Sequence, residues 1–231
     1  MPLYGWIYLQ VLTPYPFSSF PPEPEERQHG TIVPFRKKNP NDCFFRNDAE
    51  FDWLYPEHFQ LMSLKQWTPV AIAKKAAEYL AVKDAKILDV GSGIGKFCLT
   101  AAHFYPDSFY FGVEQRHELV HYARTVKKYL GIVNVDFLHA NITQVNFREF
   151  DHFYFYNSFF ENIDQVNAID DSIDTSYSLY TYYSVYLKGV LSEKPEGTRV
   201  VTYQSLGEVI PSGYRMTGQS YDSLLQFWIK E

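Results

Sequence analysis

The densest chemistry in the chain lies between Asp89 and Gly95, where an acid precedes three glycines at alternate positions, Asp89-Val90-Gly91-Ser92-Gly93-Ile94-Gly95. Glycine tolerates positive φ and carries no Cβ, so peptide N–H groups can approach a ligand closely, and they do so best at a helix N-terminus, where the dipole is positive. Ile87, Leu88 and Val90 precede the turn as a short apolar block of the kind buried on both faces of a parallel sheet, and Lys96 to Tyr105 follows it with helical character. The next strand-like run, Phe109 to Val113, ends in Glu114, nineteen residues after Gly95. An acid there is placed to accept hydrogen bonds from the two hydroxyls of a ribose. Strand, glycine turn, helix and strand-end acid together read as the cradle of a nucleoside cofactor.

The spacing narrows which cofactor. A dinucleotide fingerprint needs its third glycine three positions after the second, where this chain has Lys96. Acid-x-G-x-G-x-G instead resembles motif I of class I S-adenosylmethionine-dependent methyltransferases. A wider set, F-D-x-L-Y-P, W-T-P, L-D-V-G-S-G-I-G-K-F, G-V-E-Q-R, Y-F-Y-N-S-F-F-E-N and T-Y-Q-S, resembles bacterial class I methyltransferase-domain proteins over residues 44–231. The resemblance implies S-adenosylmethionine as cofactor, with its methionine part against Asp89 and the turn of Gly91, Ser92, Gly93 and Gly95. It further places the ribose on Glu114 beside Gln115, the adenine on Asn141 and Ile142, and the methyl-transfer region at Asn157. Asn141 departs from the pattern, which more often has an acid; a carboxamide oxygen still accepts from an adenine amine, although the residue can equally cap a turn. Two alternatives stay open: an NAD(P)-dependent oxidoreductase, opposed by Lys96 and by the lack of an obvious Tyr-x-x-x-Lys pair, and a cofactor-binding scaffold without catalysis.

Asn157-Ser158-Phe159-Phe160 loosely resembles the Asn/Asp-Pro-Pro-aromatic motif of amino-group methyltransferases and its Asn-rich counterpart in telomeric-silencing-disruptor type lysine methyltransferases, with both prolines missing. That likeness implies a nitrogen acceptor on a protein side chain or small molecule. Asn157 would aim the lone pair by accepting N–H bonds, and Glu161 would act as base or cation binder unless it is only a first-turn helix acid. Tyr156, Phe159 and Phe160, with the tyrosines at 177, 180, 182, 183 and 186, supply either an aromatic slot for an ammonium or core.

His117-Glu118-Leu119-Val120-His121 matches the H-E-x-x-H zinc motif letter for letter. The helix starts directly after Glu114, however, and no well-placed third ligand follows, Glu149 lying in a turn-rich stretch. We read it as a solvated helix face and expect no metal.

The elements that must position these residues alternate strand and helix on short loops. Helices are expected over 70–80, with Thr68 as cap and Pro69 in the first turn, over 116–130 with Gly131 as its stop, and over 175–191. Strands are expected at 135–139, 152–156 and 198–204, with an edge hairpin from 214–217 and 224–229. The pattern predicts an α/β fold, a doubly wound, mainly parallel seven-stranded sheet with an N-terminal helical or irregular extension. A helix delivering the chain to the cofactor strand also places Trp67 and Thr68 beside the pocket, unless they merely pack and cap.

Composition sets the outer limits. Hydrophobic content of 46% with 21% charged is globular, and 19 Tyr with 19 Phe foretell large buried rings. A formal charge of −6 argues against a nucleic-acid backbone as main partner. Cys43 and Cys98 form no C-x-x-C pair or disulfide framework, which fits a reducing cytoplasm. Residues 1–20 are apolar but lack a basic leader and contain Pro14 and Pro16, so neither a secretion signal nor a membrane span is expected. Residues 1–43 are read as an extension and linker, and 44–231 as the cofactor-binding domain.

Overall fold

The computed structural model describes residues 40–205 and 207–231. The expectations for residues 1–39 lie outside the described residues. Among the described residues seven strands form one sheet: β1 (Lys86–Val90), β2 (Phe109–Glu114), β3 (Val135–His139), β4 (His152–Tyr156), β5 (Arg199–Tyr203), β6 (Tyr214–Ser220) and β7 (Leu225–Lys230). Their order is β3-β2-β1-β4-β5-β7-β6, with β1 to β5 mutually parallel and β7 antiparallel to both β5 and β6. Six α-helices accompany them among the described residues: α1 (Asp48–Asp52), α2 (Glu57–Gln66), α3 (Val70–Leu80), α4 (Lys96–Phe104), α5 (His117–Leu130) and α6 (Tyr177–Ser192). Among the described residues no helix is long and apolar enough to cross a membrane.

Alternation along the central strands splits the core in two. Ile87, Tyr110, Phe137 and Tyr154 point to the face covered by α3, α4 and α5, while Leu88, Val90, Val113, Phe153 and Phe155 meet α6 and the 3₁₀ turn Phe147–Glu149. Helices on both faces make the sheet doubly wound, as the alternation of elements predicts. The chain runs outward from β1 through β2 to β3, then crosses back to β4 on the other side of β1. A crevice opens where two neighbouring strands send their connections apart, here beyond the carboxyl ends of β1 and β4.

One local expectation needs correction. Thr68 does not cap α3; Asp48 Oδ1 accepts from the Val70 N–H at 2.8 Å, and the Thr68 hydroxyl lies 3.1 Å from that of Tyr154. A cap from 22 residues away leaves no local pattern, and Thr68 is drawn instead to a buried phenol that needs a partner. In the 3₁₀ turn Pro40–Phe45, Asn41 Nδ2 donates to the Leu130 carbonyl at 2.6 Å. Gly131 does close α5 in the left-handed region, at φ 64°.

Lys96 anchors the N-terminal helices to the glycine turn. Only 2% exposed, its ammonium sits 2.7 Å from Asp52, 2.8 Å from Asp48 and 3.0 Å from Ser63 Oγ, while Tyr55 donates to the Ile94 carbonyl at 2.8 Å. Removing one partner from a buried ion cluster strands the others without compensation. Lys96→Met is therefore expected to lower unfolding free energy in urea by about 3 kcal/mol; a loss below about 0.5 kcal/mol would mean that apolar contacts alone hold α1 and α2.

Candidate active site

A cavity of about 530 Å³ occupies the crevice. Its floor is Asp89 and the turn of Gly91, Ser92 and Gly93; one end is Glu114, Gln115, Asn141 and Ile142; the other is Tyr156, Asn157, Phe159, Phe160 and Glu161. Of the residues assigned from the sequence to the cofactor and to the Asn157–Glu161 acceptor stretch, all but Gly95 are part of this lining. At φ 82° it precedes α4, and a Cβ there would fall 2.4 Å from Phe137 Cζ, so its role is to let the helix start against β3.

The turn is shaped by what presses on it. A Cβ on Gly91 would lie 2.3 Å from Ser158 Cβ, and one on Gly93 would lie 2.7 Å from the Trp67 ring. Ser158 is held over the turn by donating to the Val90 carbonyl at 2.5 Å, and the Trp67 indole by donating to the Phe59 carbonyl at 2.8 Å. Trp67 and Thr68 both line the cavity. The expectation of bare peptide nitrogens is corrected: the Gly91 and Ser92 N–H groups both donate to the Val113 carbonyl, Gly93 N–H donates to Glu114 Oε2 at 3.2 Å, and Gly95 N–H donates to the Ser92 carbonyl. The turn is tight enough to satisfy itself. Ser92 Oγ is buried on the cavity wall without a hydrogen-bond partner among the described residues.

Two buried carboxylic acids dominate the electrostatics. Asp89, 3% exposed, receives a hydrogen bond from the Cys98 thiol at 3.7 Å; burial, reinforced by the charge of Glu114, pushes its carboxyl well above the usual range. Burial also raises Glu114, against the opposing pull of the Arg116 and Gly93 N–H groups. The guanidinium of Arg116 is turned to Glu161, at 2.9 and 2.8 Å, and to Asp170 at 2.8 Å. Glu161 is thus corrected: both its oxygens are held by Arg116, so it is no free base or cation binder.

Asn141 is corrected in part. Its side-chain oxygen accepts from Thr143 N–H and the Thr143 hydroxyl, while Nδ2 donates to Gln115 and to Tyr183 at 2.7 Å. The oxygen expected to meet an adenine amine is committed to a capped 3₁₀ turn, Ile142–Gln144. At the opposite end Asn157 adopts φ 39°, and its carboxamide makes no hydrogen bond to another described residue. Burial and the neighbouring Tyr203 push the Tyr156 phenol up to about 12, so it stays neutral. Phe159 packs in the second core layer as well as lining the cavity, whereas Tyr177 and Tyr182 are exposed and outside the lining.

The H-E-x-x-H motif lies outside the cavity, with His117, Glu118 and His121 exposed on α5. The rings of His117 and His121 stand 6.5 Å apart, and among the described residues no group of three or more potential ligands could hold a metal. Arg116 is the residue sequence reading missed. A base two positions after a strand-end acid was visible, but its partners lie 45 and 54 residues onward.

Residues 81–203, more than half of the chain, match a family model described as a methyltransferase domain. Two curated relatives, the tRNA (guanine-N(7)-)-methyltransferases of Synechococcus sp. strains JA-3-3Ab and JA-2-3B'a(2-13), are 49% and 47% identical over 55 residues, 24% of this chain and 23% of each relative. The match thus spans under a quarter of their length. Among solved structures, an RNA methyltransferase from Salinibacter ruber in complex with S-adenosyl-L-homocysteine superposes with TM-score 0.51 at 20% identity, over 71% of this chain and 92% of that one. TrmN from Thermus thermophilus gives 0.53 at 18% identity, over 74% and 51%. These likenesses are ones of fold, and they agree with the sheet order and the crevice described above. The chain belongs to the methyltransferase-domain family of class I, S-adenosylmethionine-dependent enzymes.

Proposed function

We propose that the cavity binds S-adenosylmethionine and that the chain directs its methyl group to a nitrogen acceptor on a protein side chain or small molecule. The observation that carries this reading is the pair of buried acids, Asp89 and Glu114, on a cavity wall whose buried cations are already engaged, Lys96 by Asp48 and Asp52 and Arg116 by Glu161 and Asp170, while Lys65 at the exposed rim donates to Asn167. Burying carboxylates without a counter-charge is costly, and a cationic ligand relieves that cost. When bound, the cofactor supplies an electrophilic methyl group on a positively charged sulfur.

The chain's own residues then divide the work. Glu114 accepts from the ribose hydroxyls, Gln115, Asn141 and Ile142 border the adenine, and Asp89, Gly91, Ser92 and Gly93 take the methionine part. Asn157, whose carboxamide has no hydrogen-bond partner among the described residues, accepts N–H bonds from the acceptor and orients its lone pair, with Tyr156 and Phe160 lining the same end of the cavity. With Glu161 tied to Arg116, the acceptor must arrive with that lone pair free. Residues 44–231 would form the catalytic domain, behind an extension at 1–43, in a reducing cytoplasm.

A second reading, an RNA acceptor, draws on the two Synechococcus relatives and is opposed by the net charge of −6. Labelled S-adenosylmethionine offered with bulk tRNA, a protein fraction and a small-molecule fraction separates the two by where the label is found.

Calorimetry with S-adenosylhomocysteine tests the cofactor site. Wild-type protein is expected to bind, and Glu114→Ala to weaken binding by about 10- to 100-fold, the loss of charge-assisted hydrogen bonds of about 1.5–3 kcal/mol. No heat with the wild-type protein would sink the reading, and binding of NAD(P) in its place would revive the oxidoreductase.

Asp89 gives a pH test. Its raised carboxyl keeps a proton that the unfolded chain has lost above about pH 4, so the protein loses stability as pH rises through that window until the native group itself ionises. Asp89→Asn is therefore expected to raise the thermal midpoint near neutral pH while abolishing tight cofactor binding. That gain should vanish below about pH 4, where both states of the wild-type chain are protonated; a difference constant across pH would contradict it.

A further inference from the structure

Arg116 joins two acids of the cavity wall, Glu114 and Glu161, to a third, Asp170, that stands behind it. Its peptide N–H donates to Glu114 Oε1 at 2.9 Å, its two terminal nitrogens grip both oxygens of Glu161, and Nε reaches Asp170 Oδ1 at 2.8 Å. The guanidinium side chain is 2% exposed and that of Glu161 11%. Glu161 lies in the 3₁₀ turn Phe160–Asn162, four residues past Asn157, and Asp170 lies in the polar stretch that leads to α6. Elsewhere in that stretch Val166 is 94% exposed, Ile169 packs against the core, and Asn167 is held by Lys65 and Gln66 of α2, so Arg116 supplies its tie to the cofactor end of the site. Ser172 N–H and its hydroxyl fold back onto Asp170, so the carboxylate is preset for the guanidinium. A planar fork with five donors suits this geometry, and a lysine cannot reproduce it.

We propose that Arg116 is a positioning residue that couples the two ends of the site. With Glu114 held by a bound nucleoside, the Arg116 backbone is fixed, and its side chain fixes Glu161, Asp170 and the segment 157–174 that forms the acceptor wall. The inference rests on the cofactor reading above and goes beyond it by linking acceptor-wall order to cofactor occupancy.

Hydrogen exchange with and without S-adenosylhomocysteine tests it on the full chain. In the wild-type protein the ligand is expected to slow exchange at 89–95, at 114–116 and also at 157–174. In Arg116→Lys the ligand should bind within about threefold of wild-type affinity, because Glu114 meets the main-chain N–H of residue 116, and protection at 89–95 should persist. The ligand-dependent protection of 157–174 should fall by about tenfold or more. A purely structural role would speed exchange at 157–174 equally with and without ligand and leave the ligand-dependent increment intact, which would overturn the proposal. So would wild-type binding that leaves 157–174 unprotected. Wild-type protein that binds no S-adenosylhomocysteine would overturn the cofactor reading, and this inference with it. Should Arg116→Lys fail to fold, Asp170→Asn removes only the more exposed arm and is expected to show the same selective loss.

Discussion

The chain leaving β1 passes through a slot wide enough only for backbone, and the site is indexed to that slot. Ser158 from the end of β4 presses on Gly91, Trp67 from the link between α2 and α3 presses on Gly93, and Phe137 from β3 presses on Gly95. Each contact comes from a different element, and in each a Cβ would overlap its neighbour by more than side-chain adjustment easily absorbs. The three positive-φ glycines therefore set where the walls of the cavity stand relative to its floor. Their peptide groups are largely engaged within the turn, so the contribution of the motif is shape more than a row of free donors.

Charge is then distributed so that the structural ion clusters are closed and the cavity acids are left open. Lys96 is saturated by Asp48, Asp52 and Ser63, and fastens the N-terminal helices. Arg116 is saturated by Glu161 and Asp170, and fastens the far wall. Asp89 and Glu114, by contrast, line the cavity and, among the described residues, accept hydrogen bonds from a thiol and from peptide N–H groups, with the Arg116 charge opposing the effect of burial on Glu114. A buried carboxylate in that state favours its protonated form, and a cationic ligand reverses the preference. Fold stability and ligand affinity pull in opposite directions at these two positions, as is common where a site is built ahead of its ligand.

What was legible in the sequence was local. The apolar block ending at Val90, the glycine turn and the acid closing β2 are short-range patterns, and they located the crevice and the order of strand and helix; the lining contributed by α2 and by residues 162–169 they did not reveal. Orientation was not legible. That Asn141 turns its oxygen toward Thr143, that Asp48 caps α3, and that Glu161 answers to Arg116 depend on partners brought together by the sheet, and no periodicity in the chain carries them. The register of the β6–β7 hairpin was underread for a related reason. A bulge between Met216 and Gly218 breaks the two-residue alternation, so the strand continues to Ser220 beyond the last regular position.

The central claim is that the open acids of this crevice recognise an adenosyl cofactor, and a crystal structure of the protein grown with S-adenosylhomocysteine tests it most directly. The account predicts the nucleoside in the crevice beyond β1 and β4, with both ribose hydroxyls on Glu114 and the amino-acid end beside Asp89 and Gly91. A ligand bound elsewhere, or a Glu114 carboxylate that makes no contact with the sugar, would contradict it.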